Sequence, residues 1–142
     1  MKAECCIVAS DRLIKISSDG KHIVLKNSSK RNFLIVNIDG CLVTTGIRCD
    51  KAVRDDNKVD VLIEFKGGDI GHGSKQIVAT AEFWIASAFN QRPIHGCLVT
   101  TNTPSFDASV QRAKIEMKKR FGGNFCLRKP GRAYSFSELI KP

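Results

Sequence analysis

Lys58-Val59-Asp60-Val61-Leu62-Ile63-Glu64-Phe65-Lys66-Gly67 is an apolar run that ends on an acid and a lysine two residues apart. Read as a strand, its side chains alternate. Val59, Val61, Ile63 and Phe65 form an apolar face, and Asp60, Leu62, Glu64 and Lys66 share the other. Glu64 and Lys66 therefore point the same way. A carboxylate and an ammonium on an inward face are costly to bury unless they are paired, hydrated or bound to a metal. Their place at the end of a core strand calls for a chemical reason.

Upstream, Asp55-Asp56-Asn57-Lys58 is a hairpin connection. The strand that enters it spans Ile47 to about Arg54, and antiparallel pairing brings Asp50 alongside the Glu64–Lys66 end. Before it come Phe33 to Ile38, a core strand rich in β-formers, the turn candidate Asp39-Gly40, and a strand over Cys41 to Thr45. The first thirty residues read as a β-meander. Its strands are Cys5 to Ala9, Arg12 to Ile16 and His22 to Leu25, with a turn at Asp19-Gly20 and a polar loop over Asn27 to Asn32.

Downstream, Gly67 to Gly73 reads as a flexible segment, and Ser74 caps a helix to about Asn90 whose Ile77, Ala81, Trp84, Ile85 and Ala88 form one stripe. Pro93 marks the exit and Ile94 to Thr101 is a strand. Thr103-Pro104 starts a second helix, with Phe106, Val110, Ala113, Met117 and Phe121 on its apolar face and Gly122-Gly123 at its end. Phe125 to Arg128, the turn Pro130-Gly131, and Arg132 to Phe136 make a closing hairpin. The hexapeptide Gly-Cys-Leu-Val-Thr-Thr occurs at 40–45 and again at 96–101, but the flanks do not match and imply no repeat. The expected fold is one α/β domain with a central mixed β-sheet flanked by helices. It divides into an N-terminal meander (1–30), a core (31–102), and a basic helix with a closing hairpin (103–142).

At 142 residues the chain is long enough to bury a core without disulfide staples. The 23 Lys and Arg outnumber 14 Asp and Glu, a formal charge of +9, and favour a polyanionic partner, most commonly nucleic acid. The six cysteines show no C-x-x-C pair and no zinc-like spacing with His22, His72 or His95. Most lie in apolar runs as reduced, small hydrophobes. With no cleavable signal and no membrane-length apolar run, a reducing cytoplasm is the expected compartment.

Two carboxylates and one ammonium can meet at Asp50, Glu64 and Lys66. Carboxylate oxygens suit Mg²⁺ or Mn²⁺, which hold a phosphate and lower the pKa of bound water. Lys66 can orient that water and offset charge building in the transition state. The chemistry is metal-assisted phosphodiester hydrolysis. Arg112, Lys114, Lys118, Lys119 and Arg120 on the second helix, and Arg128, Lys129 and Arg132 after it, are opposed only by Glu116. Such a one-sided set would follow a phosphate backbone, although a merely solvated helix face looks the same.

Asp50, then Glu64-Phe65-Lys66 at the end of an apolar strand, then a helix carrying Gln76, resembles the PD-(D/E)xK nuclease superfamily over roughly Phe33 to Thr101. The resemblance implies a restriction-endonuclease-like core with Asp50, Glu64 and the Phe65 carbonyl as metal ligands. It makes Lys66 the catalytic lysine and Gln76 the family's occasional helix glutamine. Cys49 stands where the name-giving proline would be. No acidic helix precedes the core, which leaves Asp39 as a substitute acid or a plain Asp-Gly turn. Asp60 reads as a strand-start residue near solvent, and His72 as a phosphate or proton contact or simply a loop residue. The resulting expectation is a small Mg²⁺-dependent endonuclease acting on DNA more readily than RNA, in restriction, recombination or defence, for which small size invites a homodimer. Two alternatives are a nucleic-acid-binding module with a vestigial site and a protein-interaction domain for an acidic partner.

Overall fold

A computed structural model describes residues 2–87, 93–102 and 107–142. Its strands are β1 (Cys6–Ala9), β2 (Leu13–Ser18), β3 (Lys21–Lys26), β4 (Phe33–Asn37), β5 (Lys51–Arg54), β6 (Asp60–Lys66), β7 (Ile94–Thr100), β8 (Phe125–Arg128) and β9 (Ala133–Ser135). The helices are α1 (Ile70–Ala86), α2 (Ala108–Phe121) and the short α3 (Phe136–Leu139). Among the described residues the strands form a six-stranded mixed sheet, ordered β1-β4-β5-β6-β7-β8, and a three-stranded sheet, ordered β2-β3-β9. The α/β class with a mixed central sheet and flanking helices is as expected.

Both faces of the large sheet are buried, which is why its central strands are apolar throughout. On one face Leu62 and Leu98 pack against Ile77, Ala81 and Trp84 of α1 and Val110, Ala113, Met117 and Phe121 of α2. On the other, Val61, Ile63 and Phe65 meet Ile14, Ile16, Ile23 and Leu25 of the small sheet and Phe136 and Leu139 of α3. The period-two alternation of β6 thus serves two different cores. Glu64 and Lys66 fall on the helix side.

Turn chemistry sets the local registers. Asp19 and Gly20 take φ of 50° and 78°, the two positive values that a two-residue hairpin between β2 and β3 requires. In the β5–β6 connection, Asp55 Oδ1 accepts from the N–H of Asn57 and Val59 at 3.1 and 2.9 Å. That side-chain turn fixes the pairing Lys51↔Ile63 and Arg54↔Asp60.

Four expectations need correction. The meander is only a hairpin: β1 leaves it to pair with β4 at the edge of the large sheet, because a turn signal fixes the two strands it joins and says nothing of a third. Cys41 to Thr45 is not a strand, and β5 starts at Lys51 rather than Ile47. Gly40 and Gly46, at φ of 79° and 83°, reverse the chain there, and only Asp39 and Val43 form a bridge. The closing hairpin does not form. β8 joins the large sheet parallel to β7, and β9 joins the small one parallel to β3, so the C-terminal tail is interleaved with the N-terminal hairpin.

The fourth correction concerns α1, which begins at Ile70 with Asp69 as its cap instead of at Ser74. Gly71 and Gly73 lie inside the helix despite their low propensity. At Gly73 a side chain would meet Leu98 Cδ1 at 2.8 Å and Lys66 Cγ at 3.3 Å, so close approach of the first turn to the sheet compensates. Asp107 caps the described start of α2. Ala88 and Asn90, expected in the first helix, and Thr103, Pro104 and Phe106, expected in the second, lie outside the described residues.

Cys5 and Cys41 are joined in a disulfide, with Cα atoms 5.7 Å apart, that ties the segment before β1 to the loop after β4. The expectation of reduced, core-filling thiols holds for Cys49, Cys97 and Cys126, which are buried, and not for this pair. No helix among the described residues is long and apolar enough to cross a membrane.

Candidate active site

The register Lys51↔Ile63, carried one residue further, sets Asp50 against Glu64. Asp50 Oδ2 accepts from the N–H of Phe65 at 2.9 Å, taking over from the strand ladder where β5 begins. Lys66 Nζ stands 3.7 Å from Glu64 Oε2. Asp50 is 7% exposed and Glu64 3% exposed, while the Lys66 side chain remains 25% exposed at the C-terminal end of β6. Asp50, Glu64 and Lys66 are therefore brought together, as the alternation of β6 and the Asp55 turn imply.

Burial first, and the charge of Asp50 second, push the Glu64 carboxyl up from 4.5 to about 8, against the opposing pull of the Lys66 ammonium. Two buried carboxylates side by side are stable only with a proton or a cation between them. Glu64 Oε1 is buried and has no hydrogen-bond partner among the described residues. These hard oxygen donors fit Mg²⁺ or Mn²⁺, with the Phe65 carbonyl and water available to complete a shell. Among the described residues no group of three or more His, Cys, Asp or Glu side chains gathers to hold a metal, here or elsewhere, so Asp50 and Glu64 stand as a pair of carboxylates.

The segment that presents Asp50 is held by α1. Gln76 Nε2 donates to the Arg48 carbonyl at 2.9 Å. Thr80 Oγ1 accepts from the Cys49 N–H at 2.8 Å and donates to the Gln76 carbonyl at 2.7 Å. Gln76 thus lies against this segment, and its Oε1 is the other buried side-chain oxygen without a partner among the described residues. Sequence reading missed Thr80. Its signal was available, a hydroxyl one helical turn beyond Gln76. Thr80→Val keeps the shape and removes both hydrogen bonds, and is expected to weaken Mg²⁺ binding by about tenfold or more, with Thr80→Ser restoring it. Isothermal titration checks this, and wild-type affinity in the valine variant would show that the helix does not position Asp50.

The remaining acids go elsewhere. Asp39 is exposed and paired with Arg48 Nε at 2.8 Å, so it does not join Glu64. Asp60, expected near solvent, is fully buried. Arg54, opposite it in the register, donates to both its oxygens at 2.6 and 2.9 Å, and Trp84 Nε1 donates at 2.8 Å. The alternation of β6 places Asp60 on the helix face but cannot show that the far end of α1 covers it. His72 lies in the first turn of α1, where its N–H meets the capping Asp69 at 3.0 Å.

The basic residues divide between the two ends of the molecule. α1 and α2 follow the C-terminal ends of β6 and β7 and run back along the sheet, Trp84 reaching Asp60 and Gly123 resting against the Ile94 carbonyl. Lys118, Lys119 and Arg120 are thereby carried toward the opposite end of the sheet, near the start of β7, about 13 Å along that strand from the level of Glu64. Arg120 is held there by Glu82 at 2.8 Å and Glu116 at 3.1 Å, and Lys118 Nζ lies 3.4 Å from Asn124 Oδ1. Arg128 donates to the carbonyls of Leu127, Glu138 and Lys141, a structural engagement that a nucleic-acid role did not anticipate. Lys129 and Arg132 are exposed just past β8, at the same end as Lys66, and Arg112 is exposed on α2.

The chain matches no protein-family profile, no curated protein and no solved structure.

Proposed function

We propose that this protein is a Mg²⁺- or Mn²⁺-dependent endonuclease that hydrolyses phosphodiester bonds, with DNA as the favoured substrate and RNA the alternative. The observation that carries the reading is Glu64 Oε1, a buried carboxylate oxygen without a partner, set beside a second buried carboxylate and an ammonium. Such a group needs a cation or a proton to be tolerated, and it stands near the C-terminal end of β6, beside the partly exposed Lys66.

Asp50, Glu64 and the Phe65 carbonyl would hold the metal, with Asp50 kept in place by the Phe65 N–H. When bound, the cation supplies Lewis acidity toward a phosphate oxygen and lowers the pKa of coordinated water. Lys66, one quarter exposed and tied to Glu64, orients the attacking water and places positive charge where the transition state gains negative charge. Gln76 holds the Arg48 carbonyl with its amide N–H, and its own buried oxygen has no hydrogen-bond partner among the described residues.

Incubating the protein with single-stranded, duplex and branched DNA and with RNA, in Mg²⁺, Mn²⁺ or EDTA, tests the reading with Asp50→Asn as the control. Cutting that requires metal and is lost in the variant is expected. Equal cutting by the variant, or in EDTA, would overturn it, and metal-independent binding with no cutting would favour a binding module.

A further inference from the structure

Three acids at the end of the molecule that holds Glu64 are used internally. Asp69 and Asp107 accept from the N–H groups of His72 and Val110, each at 3.0 Å, as helix caps, and Asp39 is paired with Arg48. Four exposed cations at this end have no ion pair among the described residues: Lys75, Arg112, Lys129 and Arg132. Lys75 and Arg112 line the mouth of a groove of about 250 Å³ between α1 and α2, floored by Val78 and Ala113. Glu82 and Glu116, joined by Arg120, stand further along it. Lys129 follows β8, whose register Val99↔Arg128 continues to Thr100 and Lys129, level with the pair Lys66↔Thr100. Two strand spacings therefore separate Lys66 from Lys129, about 10 Å, or roughly three base-pair steps of a duplex.

We infer that the phosphate backbone of the substrate is held by Lys75 and Arg112 on the helix side and by Lys129 and Arg132 at the turn past β8. The last turn of α2, with Lys118 and Lys119, lies outside this footprint. Charge complementarity carries the assignment. These cations lie at the end with the candidate metal site, and the carboxylates nearest to Lys75 and Arg112 in the groove, Glu82 and Glu116, are paired with Arg120, which leaves the four free for backbone phosphates, a contact indifferent to sequence. The inference rests on the nucleic-acid reading above, but it concerns binding and is measured apart from cleavage.

Fluorescence anisotropy with a labelled duplex in EDTA, over a range of salt, reads the number of phosphate contacts. The wild type is expected to show a log–log slope of about −3 to −4, since each contact contributes about −0.9. The double variants Lys75→Ala/Arg112→Ala and Lys129→Ala/Arg132→Ala should each make the slope shallower by about 2, whereas Lys118→Ala/Lys119→Ala should leave it unchanged. The reverse pattern would overturn the footprint. If the wild type cuts DNA with Mg²⁺ while neither edge pair alters the slope, the footprint fails and the nuclease stands. A wild type that neither binds nor cuts would remove both.

Discussion

Lys66→Ala is expected to slow Mg²⁺-dependent cleavage by about 10²–10³-fold at saturating substrate, the usual consequence of removing one group aimed at developing charge. The fold should survive. The Lys66 side chain is 25% exposed, ends β6 and belongs to neither hydrophobic core, so its removal leaves both cores filled. A second effect follows from the electrostatics. Lys66 is the larger of the two influences that hold the Glu64 pKa down, the other being a hydrogen bond from the Asp50 backbone, and without Lys66 the carboxyl keeps its proton to higher pH. Because the metal requires the carboxylate form, the acid limb of the pH–rate profile should move upward in Lys66→Ala, and Lys66→Arg should largely restore its position without restoring the full rate. Single-turnover cleavage from pH 6 to 10 measures both. A wild-type rate and profile in the alanine variant would show that Lys66 has no part in the chemistry.

Glu64 should also make the metal-free protein lose stability as pH rises. Its folded pKa of about 8 lies above its ordinary value of 4.5. A raised carboxyl contributes stability that is full below the unfolded pKa and is lost as pH climbs through the folded one. Between pH 4.5 and 8 the unfolded chain has released a proton that the native state still holds, so ΔG of unfolding declines across that window. The decline amounts to about 3–5 kcal/mol, at roughly 1.4 kcal/mol per pH unit over the window. Glu64→Gln should flatten the curve and be more stable than the wild type at pH 8 in EDTA. Millimolar Mg²⁺ should raise the melting temperature of the wild type there and leave the glutamine variant little changed. Thermal unfolding followed by circular dichroism, at pH 5 to 9 with and without Mg²⁺, decides the matter. Parallel pH curves for the two proteins would mean that Glu64 is not held protonated by the fold.

Much of this site was legible in the sequence. Period-two alternation from Val59 to Lys66 assigned both faces of β6. The Asp55–Lys58 turn then brought Asp50 to Glu64, because a short hairpin leaves little freedom of register. The apolar stripes Ile77–Ala81–Trp84 and Val110–Ala113–Met117–Phe121 likewise marked the buried faces of α1 and α2. Thr80, the burial of Asp60 beneath Trp84 and the separation of Lys118 and Lys119 from Lys129 were not legible. Each depends on which element lies over which.

The hexapeptide Gly-Cys-Leu-Val-Thr-Thr shows where the division falls. At 96–101 it supplies most of β7, a strand buried between two others. At 40–45 the same residues form a reversal, with Gly40 at φ 79°, Cys41 bonded to Cys5 and only an isolated bridge at Val43. Its local propensities are identical in both places, so only the neighbours can differ. By itself the sequence determined the elements whose signals are short-ranged: the hairpin turns, the helix stripes, and the shared face of Glu64 and Lys66. The tertiary structure decided which sheet β1, β8 and β9 would join and which charges would share an end of the molecule. Those choices turn on burying apolar surface between segments far apart in the chain, a free energy that no local window contains.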